Sequence, residues 1–374
     1  MVAGARSHGA CVNTSSGVLS RAGAPAAGTR CVGRRVHVAG KAGKTTIVDV
    51  AREAGTSVSS ASVALRGEPG VSDRTRARIL DAAQRLGYRP DQRARLLRQQ
   101  RSRLLGVTFS VDQSFHADVI ENLYRAAEGT GYGLLLSATA PNRPAREAIA
   151  DLLRDRCETL ILVSPDLSAE QLAEVGALAS VVSVGAGVRA DGVDSVRSDD
   201  HQGVVDAVAH LVGLGHRSIT YVDGGCAVMS AIRRDAYVEA MGAHGLGDQV
   251  RVLHGSPTEE SGVEVAGRLL DGAEPLPTAI LAHNDMIAFG LLLTLWSRSV
   301  AVPGEISVVG YDNTRMAALA TVRLTSVSQD AAQLARAAVE RAIARTENAV
   351  VATETVTPAR LVVRETSGPP RGGA

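Results

Sequence analysis

The chain has 374 residues, 45% of them hydrophobic but only 3% aromatic, with a net charge of +1. That length suits two or three domains, and an aliphatic, Gly-rich composition suits the close helix–sheet contacts of α/β folds. No apolar run reaches membrane-spanning length, no apolar signal segment opens the chain, and the four cysteines (Cys11, Cys31, Cys157, Cys226) form no C-x-x-C pair. These features argue against a membrane protein, a secreted disulfide scaffold and a zinc site, and the expected location is the cytoplasm.

The charge is unevenly spread. Residues 1–44 carry seven Lys/Arg and no acid, residues 45–103 carry twelve Arg against six acids, and residues 104–374 carry a net charge of −12. A basic front on an acidic body implies a polyanion-binding module attached to something else. Residues 1–44 lack periodicity and read as a disordered basic leader, or as sequence upstream of the true translation start.

Ordered structure is expected from Thr46. Thr46-Ile47-Val48-Asp49 is a capping box, and Ile47, Val50, Ala51 and Ala54 follow helical spacing up to Gly55. Ser57 can cap a second helix from Val58 to about Leu65. Ser72 can cap a third, with Ile79, Ala82, Ala83 and Leu86 on one face. Helix, short Gly-containing turn, helix, loop, helix is the helix-turn-helix layout. Asp91 can cap a short segment from Gln92 to about Arg98, too short to hold a helix unless docked.

From Leu104 the rhythm changes to apolar strands alternating with helices. Strands are expected at Leu104–Phe109, Gly133–Ser137, Thr159–Val163, Val181–Val184, Ser218–Val222, Val250–Leu253, Ala279–Ala282 and Ile306–Gly310, closing near Glu354 and Leu361. Helices are expected at 117–129, 146–156, 203–214, 231–243, 260–271, 286–296 and 331–345. Such alternation means doubly wound parallel sheets, and about ten strands are too many for one compact sheet. The expected fold is therefore a two-lobed α/β core behind an all-α helix-turn-helix headpiece.

Two chemical motifs fail on inspection. Gly185-Ala186-Gly187-Val188-Arg189-Ala190 fits a loose dinucleotide fingerprint, but a turn follows it where a helix is required. Gly43-Lys44-Thr45 resembles the end of a phosphate loop without its first Gly or a preceding strand. No catalytic or metal-binding constellation is expected, and no cofactor.

The stretches Thr46-Ile47-Val48-Asp49-Val50-Ala51-Arg52-Glu53-Ala54-Gly55-Thr56-Ser57-Val58-Ser59, Val71-Ser72-Asp73-Arg74-Thr75-Arg76 and Leu86-Gly87-Tyr88-Arg89-Pro90 resemble the lac repressor / galactose repressor family. So do Leu214-Gly215-His216-Arg217, His283-Asn284-Asp285, the run from Val302 to Asp312, Leu324-Thr325-Ser326-Val327 and Leu361-Val362-Val363-Arg364-Glu365. The resemblance implies a leader (1–44), a helix-turn-helix domain (45–90), a hinge helix and linker (91–103), a two-lobed effector-binding and dimerisation core (104–367) and a tail (368–374). It further implies that one lobe holds about 104–198 and 330–357, and the other about 199–329 and 358–367.

As function, the resemblance implies a sequence-specific transcription regulator, a repressor, that binds operator DNA as a homodimer and answers to a small-molecule effector, a sugar or related metabolite. Val58, Ser59 and Val63 would face the major groove. Thr46, Ser57, Ser62 and Arg66 would contact phosphates, and Leu97 would wedge into the minor groove. An apolar Val63 cannot grip guanine bidentately but can meet a thymine methyl. Core packing is the alternative for Val58 and Val63, and a hinge-core leucine for Leu97. Phe115 would stack on the effector, while Arg233, Asn284 and Asp312 would bind its polar groups. Alternatively, Arg233 pairs with a local acid and Asp312 caps a turn. Gly185 stands where sugar-binding members have an acid, His116 replaces a second aromatic, and an aromatic expected near Pro257 is missing. A solute-binding protein of a transport system is the competing reading, but it leaves 46–98 without a use. An α/β enzyme is the third, and it lacks a catalytic constellation.

Overall fold

The computed structural model describes residues 45–65, 67–88, 101–185, 187–225, 228–347 and 353–371. The leader, Arg66 and the expected hinge segment with Leu97 lie outside the described residues. The chain divides into two compact units near residue 91.

The first unit is three helices, α1 (Ile47–Glu53), α2 (Val58–Leu65) and α3 (Asp73–Arg85). The Thr46 hydroxyl accepts from the Asp49 amide while the Asp49 carboxylate accepts from the Thr46 amide, the capping box expected from sequence. Gly55 takes φ +56° and lets the chain turn tightly between α1 and α2. Val50, Ala51, Ala54, Ala61, Ala64, Ile79, Ala82 and Ala83 form the core, small side chains that let short helices approach closely. Two arginines of α3 serve this packing. The Arg76 guanidinium donates to the Ala64 carbonyl (3.1 Å) and the Glu68 carbonyl (2.5 Å), and Arg78 donates to the carbonyls of Ala54 and Gly55. They satisfy carbonyls at the ends of α2 and α1, where cations are favoured.

The second unit follows in chain order as β1 (Leu104–Ser110), α4 (Ser114–Ala127), β2 (Gly133–Thr139), α5 (Ala145–Arg154), β3 (Thr159–Val163), α6 (Ala169–Leu178), β4 (Ser180–Val184), β5 (Val193–Ser198), α7 (Asp200–Gly213), β6 (Ile219–Val222) and α8 (Val228–Ala243). It continues as β7 (Arg251–Leu253), α9 (Glu259–Asp271), β8 (Ala279–Ala282), α10 (Asp285–Ser297), β9 (Ser307–Asp312), β10 (Thr325–Ser328), α11 (Ala331–Thr346), β11 (Glu354–Thr357) and β12 (Arg360–Val362). Two six-stranded sheets result, ordered β11-β5-β4-β3-β1-β2 and β12-β10-β9-β8-β6-β7. In the first, Val107 lies between Leu136 and Ile161 in parallel register. The chain crosses between sheets three times, from β5 to α7, from β10 to α11 and from β11 to β12. Helix α10 is apolar almost all round and packs against α9 at close range. A Cβ on Gly262 or Gly290 would strike the facing helix backbone, so only glycine permits that approach.

Several elements differ from the expectation. The sheets are parallel except that β12 runs antiparallel to β10. The sequence reading omitted α6, β5 and β10. Strand β5 hides its signal because Asp194, inside it, is buried and ion-paired with Arg345 (2.7 Å) and Arg341 (3.4 Å). Strand β10 is Thr-Ser-Val-Ser, and its hydroxyls find partners in Ser367 and Asp285. Residues 368–371, read as a tail beyond the core, are tied to it. The Gly368 amide donates to Ser307 Oγ, its carbonyl accepts from the Ser307 hydroxyl, and Arg371 pairs with Glu305.

Candidate functional site

A cavity of about 640 Å³ lies between the two lobes of the second unit. Its walls are the carboxyl ends of β1, β2, β3, β6, β8 and β9 and the turns after them, where open α/β sheets place ligands. Phe115, Arg233, Asn284 and Asp312, far apart in sequence, all line it.

Each is held by its element. Phe115 begins α4 and roots in the core of the first lobe. Asn284 is the N-cap of α10: its Oδ1 accepts from the Ile287 amide at 3.0 Å, and its Nδ2 donates to the Pro257 carbonyl at 3.4 Å. Arg233, on α8, does pair with a local acid. Its Nε donates to Asp200 Oδ1 (2.8 Å), its Nη1 donates to the His283 carbonyl (2.7 Å), and its guanidinium carbon lies 3.6 Å from the Tyr311 ring centroid. A guanidinium has five N–H donors, so this anchoring leaves donors for a ligand. Asp312 ends β9 in a left-handed backbone conformation (φ +109°), accepts from Gln329 Nε2 at 2.6 Å and stands 3.9 Å from Arg233. Burial, opposed by Arg233, pushes its carboxyl up to about 8.

The departures from the family pattern have physical settings. Gly185 takes φ +76°, and a Cβ there would approach Ser164 Oγ to 3.0 Å, so the backbone disfavours an acidic side chain. The carbonyl of Pro257, near which an aromatic was expected, accepts from Gln113 of the opposite lobe at 3.2 Å as well as from Asn284. His116 is buried, and its Nδ1 accepts from the Ser110 amide at 2.9 Å. Burial pushes that imidazole down to about 4, so a neutral ring pins the turn between β1 and α4. The sequence reading missed Asp200, Gln329 and Gln113, which position or accompany the four candidates. Gln113 and Gln329 line the cavity with them, while no local pattern marks any of the three.

On the first unit, Val58 and Ser59 are exposed and Ser62 and Val63 half-buried, while Ala61 and Ala64 face the core. The side chain of Val63 faces the loop at Gly70, so part of its surface is packed. Thr46 and Ser57 are exposed caps, with Ser57 Oγ accepting from the Ser60 amide at 3.0 Å. Among the described residues no group of three or more His, Cys, Asp or Glu could hold a metal ion, and no helix is long and apolar enough to cross a membrane.

Residues 46–91 match the model of bacterial regulatory proteins of the lacI family, and residues 208–367 match that of the periplasmic binding protein-like domain. The chain is similar to catabolite control protein A of Priestia megaterium, with 30% identity over 292 residues that span 76% of this chain and 87% of that protein. The chain belongs to the LacI family. Among solved structures it is similar to a LacI transcriptional regulator from a Rhodococcus species, with a TM-score of 0.69 and 41% identity over 71% of this chain and 98% of that one. It is also similar to the lac repressor dimer bound to operator and the anti-inducer ONPF, with a TM-score of 0.76 and 25% identity over 87% of this chain and 100% of that one. Like its family, this chain is a DNA-binding transcription regulator, and its helix-turn-helix unit is the DNA-binding part. That lac repressor structure carries a small molecule besides operator DNA.

Proposed function

We propose that this LacI-family regulator is a repressor that binds operator DNA as a homodimer through α2 and releases or tightens it when a sugar or related polar metabolite fills the cleft. The convergence of Phe115, Arg233, Asn284 and Asp312 on one cavity at the strand ends carries this reading. An aromatic face beside paired polar groups suits a compact ligand rich in hydroxyls. In this reading residues 45–90 bind DNA, 91–103 form the hinge, 104–367 sense the effector, and the protein works in the cytoplasm. Val58, Ser59 and Val63 read base edges, with Val63 contributing apolar contact with a thymine methyl. Thr46, Ser57, Ser62 and Arg66 contact phosphates, and Leu97 is the minor-groove wedge.

The test uses the full chain. An operator is selected from random duplexes, and its affinity is measured at one fixed salt concentration against sugars, polyols, purines and metabolic acids. The expected result is one compound class that changes operator affinity and raises thermal stability by mass action, with both effects lost in Asn284→Ala. A compound that acts equally on wild type and Asn284→Ala would place the effector elsewhere. Failure to select any duplex would overturn the operator reading.

A further inference from the structure

The buried carboxylates beneath the cleft outnumber the cations bound to them. Facing Asp312 are Arg233 from α8, Asp200 from α7, Asp285 from α10, His283 after β8 and Tyr311 within β9. The close contacts of Arg233 lie elsewhere: its Nε and Nη2 both stand 2.8 Å from Asp200 Oδ1, and its Nη1 donates to the His283 carbonyl. Asp285 is served by the Thr314 amide (2.7 Å), the Thr314 hydroxyl (2.9 Å) and the Ser326 hydroxyl (2.6 Å). Arg364, the next cation, donates to Asn313 Oδ1 and the Leu324 carbonyl. His283 is neutral, held well below its ordinary value by burial and then by Arg233. Asp312, only 9% exposed, is left with a hydrogen bond from Gln329 and a cation 3.9 Å away. A buried carboxylate stays ionised when it accepts two or three hydrogen bonds or a close ion pair, and otherwise takes up a proton.

We propose that Asp312 is a proton-exchange group: it holds a proton in the ligand-free protein near neutral pH and releases it when a bound effector supplies hydrogen donors. This rests on the reading of the cleft as the effector site. The protonation change has a route to the lobe crossovers. Gln329, which donates to Asp312, lies 3.0 Å from the Ser198 hydroxyl, whose single proton is shared between Gln329 Oε1 and Asp200 Oδ2 at 2.9 Å. Ser198 and Gln329 sit on two of the three crossovers. Effector capture would therefore be coupled both to proton release and to two of the segments that join the lobes.

The experiment needs no effector, so its failure and the failure of the effector reading are distinguishable. The ligand-free full chain is titrated from about pH 5 to about pH 9 while the infrared carboxylic-acid C=O band is followed in wild type, Asp312→Asn and Asp285→Asn. Burial raises Asp285 as well, to about 6, so the wild-type band should fall in two steps, and the later one, at neutral to mildly alkaline pH, should be absent from Asp312→Asn and kept in Asp285→Asn. Thermal unfolding gives a second readout. A carboxyl whose pKa rises on folding stabilises the fold fully below its ordinary 3.8, and that contribution is lost as pH climbs through the raised value. The ratio of folded to unfolded wild type should thus fall by up to tenfold per pH unit relative to Asp312→Asn. Absence of the later step in wild type, which needs no variant to fold, overturns the proposal. So does a neutral to mildly alkaline step that persists in Asp312→Asn or vanishes only in Asp285→Asn.

Discussion

Arg233 shows how one side chain carries two duties. It lines the cleft, and it also neutralises Asp200, which is 1% exposed and opens α7 at a lobe crossover. Removing one partner of a buried pair leaves the other charged and desolvated, which costs about 3–5 kcal/mol. Arg233→Ala should lower the stability of the ligand-free protein by about that amount. Arg233→Ala combined with Asp200→Ala should cost clearly less than the sum of the single changes, because the double variant strands no charge. Chemical denaturation of the three variants provides the cycle. Additive losses would mean that Arg233 and Asp200 are not coupled and that the cleft alone explains Arg233.

At the scale of elements, the basic excess of the first unit divides between structure and DNA. Arg76 and Arg78 donate to carbonyls at the ends of α2 and α1, so their charge is partly committed to helix ends. Arg78→Ala should lower the melting temperature of the helix-turn-helix unit, consistent with a loss of about 1 kcal/mol. It should leave the slope of log affinity against log salt unchanged on duplex DNA. A phosphate contact would instead reduce that slope by about one. A variant with an unchanged melting temperature and a shallower slope would return Arg78 to the DNA-contacting set. The capping serines and threonines raise a similar division, since Thr46 and Ser57 satisfy backbone amides whether or not a phosphate is near.

For the whole molecule, the C-terminal segment is shared property. Strand β11 edges the first sheet and β12 the second, while the Thr366 hydroxyl donates to the Val308 carbonyl and the Gly368 carbonyl accepts from Ser307. A chain ending at residue 347 would strip an edge strand from each sheet and strand Ser195, whose amide donates to the Thr353 carbonyl. That chain should fail to reach a native far-UV circular dichroism spectrum and should elute as aggregate. A monodisperse chain with native helicity would show that the lobes do not depend on their shared segment.

The sequence by itself determined the elements whose signals are local. The three short helices, their caps and the alternation of strand and helix were legible because caps, glycines and apolar spacing act over a few residues. Thr46 with Asp49 and Ser72 with its following helix are examples. A second capping box, Ser168 with Gln171, opens α6 by an equally local signal. Strands β5 and β10 carry no such signal. Asp194 can sit inside a buried strand only because Arg341 and Arg345 arrive from α11, and the β10 hydroxyls only because the C-terminal segment and Asp285 meet them. Family resemblance brought Phe115, Arg233, Asn284 and Asp312 forward as candidates, but their shared cavity, the Asp200 partner of Arg233 and the Gln329 partner of Asp312 belong to the tertiary structure. Desolvation and pairing are set by what crosses from the other lobe or a distant segment, and residue spacing along one chain holds no record of that.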